Sequence, residues 1–419
     1  VSGYNLDELV AAGDIDVARF VVGSEGTLVA ITEATLRIVP RPNMTALAVL
    51  HFDELLASME ATVAILELDP AAVELMDSLI IRQARANLEY SRMMDFIQGD
   101  PQALLLVELV GDSEAELEAK LDRLEDRMKR AGLAYAVRRI LRPEDQEKVW
   151  QVRKAGLGLM MNVPGDAKPI PFVEDAAVAP EALPRFVKRF DQIVRDHGTT
   201  AGYYGHASVG CLHIRPLINL KLQQDVDRMA SIAAQVSDLV LEFGGSLTGE
   251  HGDGIVRGFW TEKMFGSELV ENFREVKRAF DPKTIMNPGK IFDTPHILDN
   301  LRFGDEYHSH EIETRLDFTV EGGFAGAVEM CNGVGACRKL NLGAMCPSYM
   351  ATREEEHTTR GRANVLRAAI SGKFPVDQLT SKRTFEVLDL CLECKSCKAE
   401  CPSNVDMAKI KYEFLHQYY

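Results

Sequence analysis

No run of this 419-residue sequence approaches eighteen uninterrupted apolar residues, which argues against a membrane-spanning helix. Basic charge is in deficit: 47 Lys and Arg stand against 63 Asp and Glu, a formal net charge of −16. Phosphate binding needs clustered cations, so nucleic acid is excluded as a partner on this count. Cysteine is nearly missing from the first 330 residues, where only Cys211 occurs, and the other seven fall between 331 and 401. A secreted disulfide protein spreads its cysteines through the fold, whereas this crowding favours metal in a reducing compartment. No signal peptide, internal repeat or low-complexity tract is visible. The chain opens at Val1 inside what reads as a structured segment, so the natural N-terminus is expected further upstream. What remains is ordinary for a globular protein, with 46% hydrophobic and 26% charged residues and length enough for two or three domains.

Along the chain, residues 19–39 alternate β-branched residues around a glycine turn and predict strand, turn, strand. Pro40 and Pro42 then mark a boundary. From 45 to about 295, strand-like runs at 45–52, 103–111 and 135–141 alternate with amphipathic helices at about 113–131, 221–243 and 268–280. The first helix has an acidic start and a basic end, and the second stops at Gly244-Gly245. Residues 296–320 are polar and read as a linker, and helical stretches separate the cysteines beyond it. The pattern predicts an α+β protein.

Cys391, Cys394, Cys397 and Cys401-Pro402 form the run C-x2-C-x2-C-x3-C-P. That is the ferredoxin spacing, in which three thiolates wrap one cubane and the last is directed to another cluster. Zinc also uses C-x2-C pairs, and stays open as the alternative. Upstream, Cys331, Cys337 and Cys346-Pro347 are spaced less regularly, by five and eight residues. By ferredoxin logic Cys346 completes a cluster with Cys391, Cys394 and Cys397. Cys331, Cys337 and Cys401 then supply three ligands, so one 4Fe–4S cluster is expected and a second is left open.

A second constellation lies in YYGHASVGCLHIRP (203–216) and GEHGDG (249–254). His206 and His213 can converge from a loop feeding a strand, and Glu250 and His251 sit among glycines where backbone approaches a ligand closely. Two histidines and a carboxylate are a usual donor set for a catalytic metal with open positions. Unrelated histidines making ordinary hydrogen bonds, or a zinc hydrolase, would also account for them. Arg153 and Lys168 are candidates for an anionic substrate. Cys211 reads as a small buried residue, and Tyr203 and Tyr204 as core or pocket wall.

GSEGTL (23–28) lacks the lysine of a phosphate-binding P-loop and the pattern of a Rossmann turn. Taken in order, however, GYNL (3–6), GSEGTL with ITEATLRI, GHASVGCLH, GEHGDG and MNPGKIF (286–292) resemble the FAD-linked 2-hydroxyacid dehydrogenases. That family acts on D-lactate, glycolate and D-2-hydroxyglutarate with the vanillyl-alcohol-oxidase flavin fold. The continuation through EMCNGVGACRK, MCPSYMATREEEHTTRGRANVLR and CLECKSCKAECP resembles its members fused to an iron–sulfur domain.

The resemblance implies residues 1–42 as the tail of an FAD-binding domain and 43–295 as an antiparallel, ferredoxin-like oxidase domain. A linker at 296–320 and a mainly helical 4Fe–4S domain at 321–419 would follow. It implies a fragment lacking most of the FAD domain, from a cytoplasmic protein or one peripheral on the inner face of a membrane. It makes His206, His213 and Glu250 ligands of a divalent metal, Zn or Mn. His251 becomes the base, and Arg153 with Lys168 the holders of the substrate carboxylate. Gly23, Ser24, Gly26, Thr27 and Ile31 would line FAD, with Asn287 and Lys290 near it. Electrons would leave through the iron–sulfur cluster to a quinone or carrier protein. Arg215 stands where many relatives have asparagine, and an extra cation there suits a second anionic group such as that of 2-hydroxyglutarate. The competing reading is an electron-transfer module of a respiratory complex without substrate chemistry of its own.

Overall fold

Residues 44–52 and 103–111 carry apolar side chains at nearly every position, the mark of strands buried on both faces. In the computed structural model, which describes residues 2–10, 16–304, 306–341 and 343–419, they pair at the centre of a sheet. Its strands are β1 Met44–Phe52, β2 Ala72–Asp77, β3 Ala103–Gly111, β4 Ala136–Ile140, β5 Lys168–Pro169, β6 Ala176–Ala177, β7 Ala201–His206 and β8 Cys211–Ile218. Their order is β4-β1-β3-β2-β7-β8-β5, with β6 also on β8, and every pairing is antiparallel. With the helices Leu55–Leu66 and Glu114–Ala131 as crossovers, the first four strands make the ferredoxin-like β-α-β-β-α-β unit that was expected.

Strand parity sorts the side chains into two cores. Ala46, Ala48, Leu50 and Phe52 of β1 join Ala103, Leu105, Val107 and Leu109 of β3 beneath helices Leu55–Leu66, Glu114–Ala131, Leu183–Asp196 and Gln223–Glu242. Leu47, Val49, Leu104 and Leu106 face the other way, against helices Ser78–Ala86, Pro143–Lys154 and Gly156–Met160.

All three predicted helices form. Ser113 caps Glu114–Ala131 by accepting from Glu116 N, and Gly132 at φ +64° ends it. Gln223–Glu242 stops at the predicted glycines, where Gly245 N donates to Val240 O. The third runs longer than expected, Thr261–Phe280, with a break at Gly266.

The strand–turn–strand expected at 19–39 is corrected. Residues Val17–Val21 form a short helix that Asp16 caps and Phe20 anchors, and residues 29–42 carry no strand. Period-2 alternation describes a surface that a sheet could use, but a strand also needs a partner for its backbone groups. Among the described residues none pairs here, and Ile31, Leu36, Ile38 and Val39 are exposed at 67–89%.

Beyond residue 320 the module is helical, with a separate core that includes Cys331, Cys337, Cys346, Cys397 and Cys401. Among the described residues no helix is long and apolar enough to cross a membrane.

Candidate functional site

Polar residues on the second face of the sheet interrupt an otherwise apolar layer. Val73 and Leu75 belong to the first core, so Glu74 points to the second face, and the same parity turns Tyr204, His206, His213 and Arg215 that way. Register aligns them: Glu74 lies opposite His206, Tyr204 opposite His213, and Gly202 opposite Arg215. Gly202 leaves the space that Met160 and Leu79 fill, since a Cβ there would fall 2.7 Å from Met160 Cε and 3.0 Å from Leu79 Cδ2. Helix Pro143–Lys154 covers this face and delivers Arg153 onto Glu74, with Nη2–Oε2 at 2.6 Å and Nε–Oε2 at 3.1 Å.

The GEHGDG loop closes over these strands and is held by one buried carboxylate. Asp175 accepts from His251 N at 2.8 Å, from Glu250 N at 3.2 Å and from Thr248 Oγ1 at 2.7 Å, and Cys211 Sγ donates to it at 3.2 Å. Burial pushes the Asp175 carboxyl up, but these donors outweigh it and hold it below the ordinary range. Burial pushes the Cys211 thiol up, so it is a neutral donor, as its reading as a small buried residue requires.

The loop carries Glu250 into the space between three imidazoles. Glu250 Oε1 lies 3.1 Å from His206 Nε2, 3.3 Å from His213 Nε2 and 3.4 Å from His251 Nε2. His213 and His251 stack at 4.8 Å between centroids and 6° between planes. Behind each outer histidine stands a carboxylate: Glu74 Oε1 at 2.7 Å from His206 Nδ1, and Glu174 Oε1 at 3.6 Å from His251 Nδ1. The Glu74 hydrogen bond raises the His206 pKa, whereas burial, with His251 and His206 nearby, pushes His213 down to about 3. His213 Nδ1 is buried without a hydrogen-bond partner among the described residues.

A divalent cation fits these donors. One carboxylate oxygen cannot satisfy three imidazole nitrogens, and a neutral buried imidazole offers a lone pair without proton competition. Glu74 fixes the His206 tautomer so that Nε2 faces inward, the usual outer-shell support of a metal-ligating histidine. Asp175, His213, Glu250 and His251 place donor atoms within 4.8 Å of one another. His251 thus stands in this set beside the expected ligands His213 and Glu250, while His206 falls outside it and meets the centre through Glu250 Oε1 at 3.1 Å.

Arg153 and Lys168 are not brought together. Arg153 is committed to Glu74, while Lys168, its pKa lowered by burial, donates to Val163 O at 2.5 Å and lines a cavity of about 430 Å³. Arg215, Lys221 and Arg302 share that cavity, whose far wall includes Cys331, Asn332 and Val334 of the cysteine module. Arg215 forms a buried ion pair with Glu174.

The glycine turn at 23–28 is tied to the histidine loop. Glu25 accepts from Asp253 N at 2.6 Å and Gly254 N at 2.9 Å, and Asn287 Nδ2 donates to Glu25 O at 2.7 Å. Gly23 and Gly26 take φ of +81° and +70°, and a Cβ at Gly26 would meet nothing within 4 Å, leaving that side of the turn open to a flat group. Ser24 and Thr27 are buried, and Thr27, Asn287 and Lys290 line a cavity of about 160 Å³ with Arg274, Lys277 and Arg278. All three cations there are paired, Arg274 with Asp293 and Glu271, Lys277 with Asp281, and Arg278 with Glu271. Ile31 lies outside it, exposed.

The cysteines divide between two small cavities. Cys346, Cys391, Cys394 and Cys397 line one, and Cys331, Cys337 and Cys401 line the other. Burial pushes Cys397 up to about 12 and Cys401 up to about 11, so buried thiols here stay protonated unless a cation compensates them. At the first cavity Arg362, 0% exposed, donates to Cys346 Sγ at 3.4 Å, and Lys411 donates to Cys391 O at 2.8 Å. Four thiolates and two buried cations fit a 4Fe–4S cluster.

Glu74, Glu174, Asp175, Glu25 and Arg362 were not recognised from sequence. For Glu74 the one signal is a charged residue inside an apolar stretch, AVELMD (72–77).

Comparison with known proteins agrees with both halves. A family described as "FAD linked oxidases, C-terminal domain" matches residues 41–291, and a "4Fe-4S dicluster domain" matches residues 330–406. D-2-hydroxyglutarate dehydrogenase of Escherichia coli is 30% identical over 100% of this chain and 46% of its own length. D-lactate dehydrogenase of Archaeoglobus fulgidus is 30% identical over 69% of this chain and 58% of its own. The chain thus spans about half the length of the curated relatives it matches. Among solved structures, substrate-bound p-cresol methylhydroxylase superposes with a TM-score of 0.45 at 15% identity, covering 60% of this chain and 53% of that one.

Proposed function

The chain belongs to the FAD-linked oxidases, and on that premise we propose that it oxidises a D-2-hydroxy acid, D-2-hydroxyglutarate or D-lactate, to the 2-oxo acid. The observation that carries the reading is the convergence of His206, His213 and His251 on one oxygen of Glu250. A divalent cation held by His206, His213 and Glu250, Zn or Mn, supplies polarisation of the substrate hydroxyl and carboxylate. FAD on the Gly23–Thr27 turn, with Asn287 and Lys290 near it, would supply the acceptor for the C2 hydride.

The chain's own residues do the rest. Glu174 Oε1 stands 3.6 Å behind His251 Nδ1, and His251 Nε2, 3.4 Å from Glu250 Oε1, is the base that takes the hydroxyl proton. Glu74, neutralised by Arg153, holds His206 in the matching tautomer. Arg153 therefore acts through Glu74, and Lys168 is the cation left to meet the substrate carboxylate from the cavity wall. Arg215, beside it, favours a second carboxylate if Glu174 yields. Cys346, Cys391, Cys394 and Cys397 would hold a 4Fe–4S cluster, which would supply a one-electron path to a quinone or a carrier protein, for which a peripheral position on a membrane suffices.

FAD-loaded protein mixed anaerobically with D-2-hydroxyglutarate, D-lactate or glycolate tests this. The flavin is expected to bleach with one of the first two, and His251→Ala to slow bleaching by about 100-fold or more with FAD still bound. Bleaching of that variant at the wild-type rate removes His251 as the base. Silence with all three acids, flavin present, removes the substrate class.

A further inference from the structure

Cys331 and Cys337 flank Asn332, Gly333, Val334, Gly335 and Ala336, so Val334 stands third from each and the run reads C-x2-V-x2-C. Cys391, Cys394 and Cys397 read C-x2-C-x2-C. The two runs are one ligand loop written twice, with valine in place of the middle thiolate in the first. Their fold treats them alike. Cys394 lines its cavity with Cys391 and Cys397, and Val334 lines the other with Cys331 and Cys337. Each Cys-Pro cysteine crosses to the opposite cavity, Cys346 to the first and Cys401 to the second. Among the described residues no fourth cysteine reaches the second cavity.

A cubane has four irons, and each needs a terminal ligand from outside the cluster. Three thiolates leave one iron corner bare, so this cavity does not match the second fully ligated 4Fe–4S centre that a dicluster domain implies. We propose that Cys331, Cys337 and Cys401 hold a three-iron, four-sulfide cluster whose vacant corner faces Val334. The lining suits such an occupant. Ser403 Oγ is buried, its residue 1% exposed, and has no hydrogen-bond partner among the described residues. A buried hydroxyl left so is costly, and a cluster sulfide would give it an acceptor. Backbone amides of Gly333, Ser403 and Val405 are turned to the thiolates of Cys331 and Cys401, and Arg360 lies on the same wall. Two centres with different numbers of thiolates carry different charge and hence different potentials, which gives the relay a direction.

The inference rests on the cysteine module alone, and its test uses no hydroxy acid, so it fails separately from the catalytic reading. Protein purified anaerobically without added iron is expected to hold about seven irons and about eight sulfides per chain. Oxidised, it should show the half-integer-spin EPR signal of a three-iron cluster, a state in which a 4Fe–4S cluster is silent. Val334→Cys, on a half-exposed loop position, restores the missing thiolate. It is expected to raise iron by about one per chain and abolish the oxidised-state signal. About four irons in the wild type would mean an empty cavity and overturn the proposal. About eight with no signal would mean a complete cubane, capped by an oxygen such as that of Ser403, and overturn it equally. So would a Val334→Cys protein that keeps the signal.

Discussion

Glu74 is the residue on which the rear of the histidine site depends. It takes Arg153 on one oxygen and His206 on the other, with its side chain 11% exposed. Removing one partner of a buried ion pair typically costs about 3–5 kcal/mol, because the remaining charge stays desolvated. Glu74→Gln should therefore lower the free energy of unfolding by about 3 kcal/mol. Glu74→Gln combined with Arg153→Met should recover most of that loss. Denaturant titration of the three proteins checks this, and a single variant unfolding with the wild type would show that the pair contributes nothing. The histidines were legible in sequence because glycine-bracketed histidines are rare among ten in the chain. Their carboxylate supports were not. Glu74, Glu174 and Asp175 are three of 63 acidic residues, and only burial behind an imidazole distinguishes them.

At the scale of elements, legibility followed length and period. β1, β3, β4 and the helices Glu114–Ala131, Gln223–Glu242 and Thr261–Phe280 have enough residues for a pattern to repeat and overlap the runs where they were expected, while helices Leu55–Leu66 and Pro143–Lys154 were not anticipated. β5 and β6 have two residues each and cannot show a period, yet β6 follows the Glu174-Asp175 pair that supports the histidine loop, and β5 carries Lys168 on the wall of the neighbouring cavity. Residues 19–39 have the period without a partner strand, and the alternation misled. The turn between β7 and β8 is where element geometry meets the site, because it sets His206 against His213. Gly210 there takes φ +69°, and a Cβ would fall 1.8 Å from Val178 O. Left-handed backbone costs a non-glycine residue about 1–2 kcal/mol, and displacing Val178 adds about 1–3 kcal/mol. Gly210→Ala is thus expected to destabilise by about 3 kcal/mol or more and to weaken metal retention. Gly132→Ala is the control: φ is +64° and a Cβ meets nothing within 4 Å, so about 1 kcal/mol is expected. Thermal unfolding and bound-metal content together decide it, and equal losses in the two variants would show that the Val178 contact is unimportant.

Across the whole molecule, the oxidase half and the cysteine module meet along one wall of the 430 Å³ cavity. Lys221 bridges them to Glu329 at 2.7 Å. A close backbone approach lies at helix Gly156–Met160, where a Cβ on Gly158 would lie 2.2 Å from the Cβ of Pro402, the residue after Cys401. Absence of a side chain at one position therefore lets the end of the ferredoxin run dock against the sheet's second face. Gly158→Ala must push the Cys401-Pro402 turn away or drive the helix into its own core. Gly156, two residues earlier, has room: its Cβ would sit 3.4 Å from Ile80 Cδ1, an ordinary contact. Gly156→Ala should then be neutral or slightly stabilising, since alanine is the better helix former by about 1 kcal/mol. Gly158→Ala should loosen the module. The segment 296–318, which carries no helix or strand among its described residues, joins the halves and is the natural reporter. Limited proteolysis is expected to cut there several-fold faster in Gly158→Ala than in wild type or Gly156→Ala, with iron lost in parallel. Equal rates in all three would mean that the halves are held together by Lys221 and its neighbours, and that the glycine contact is incidental.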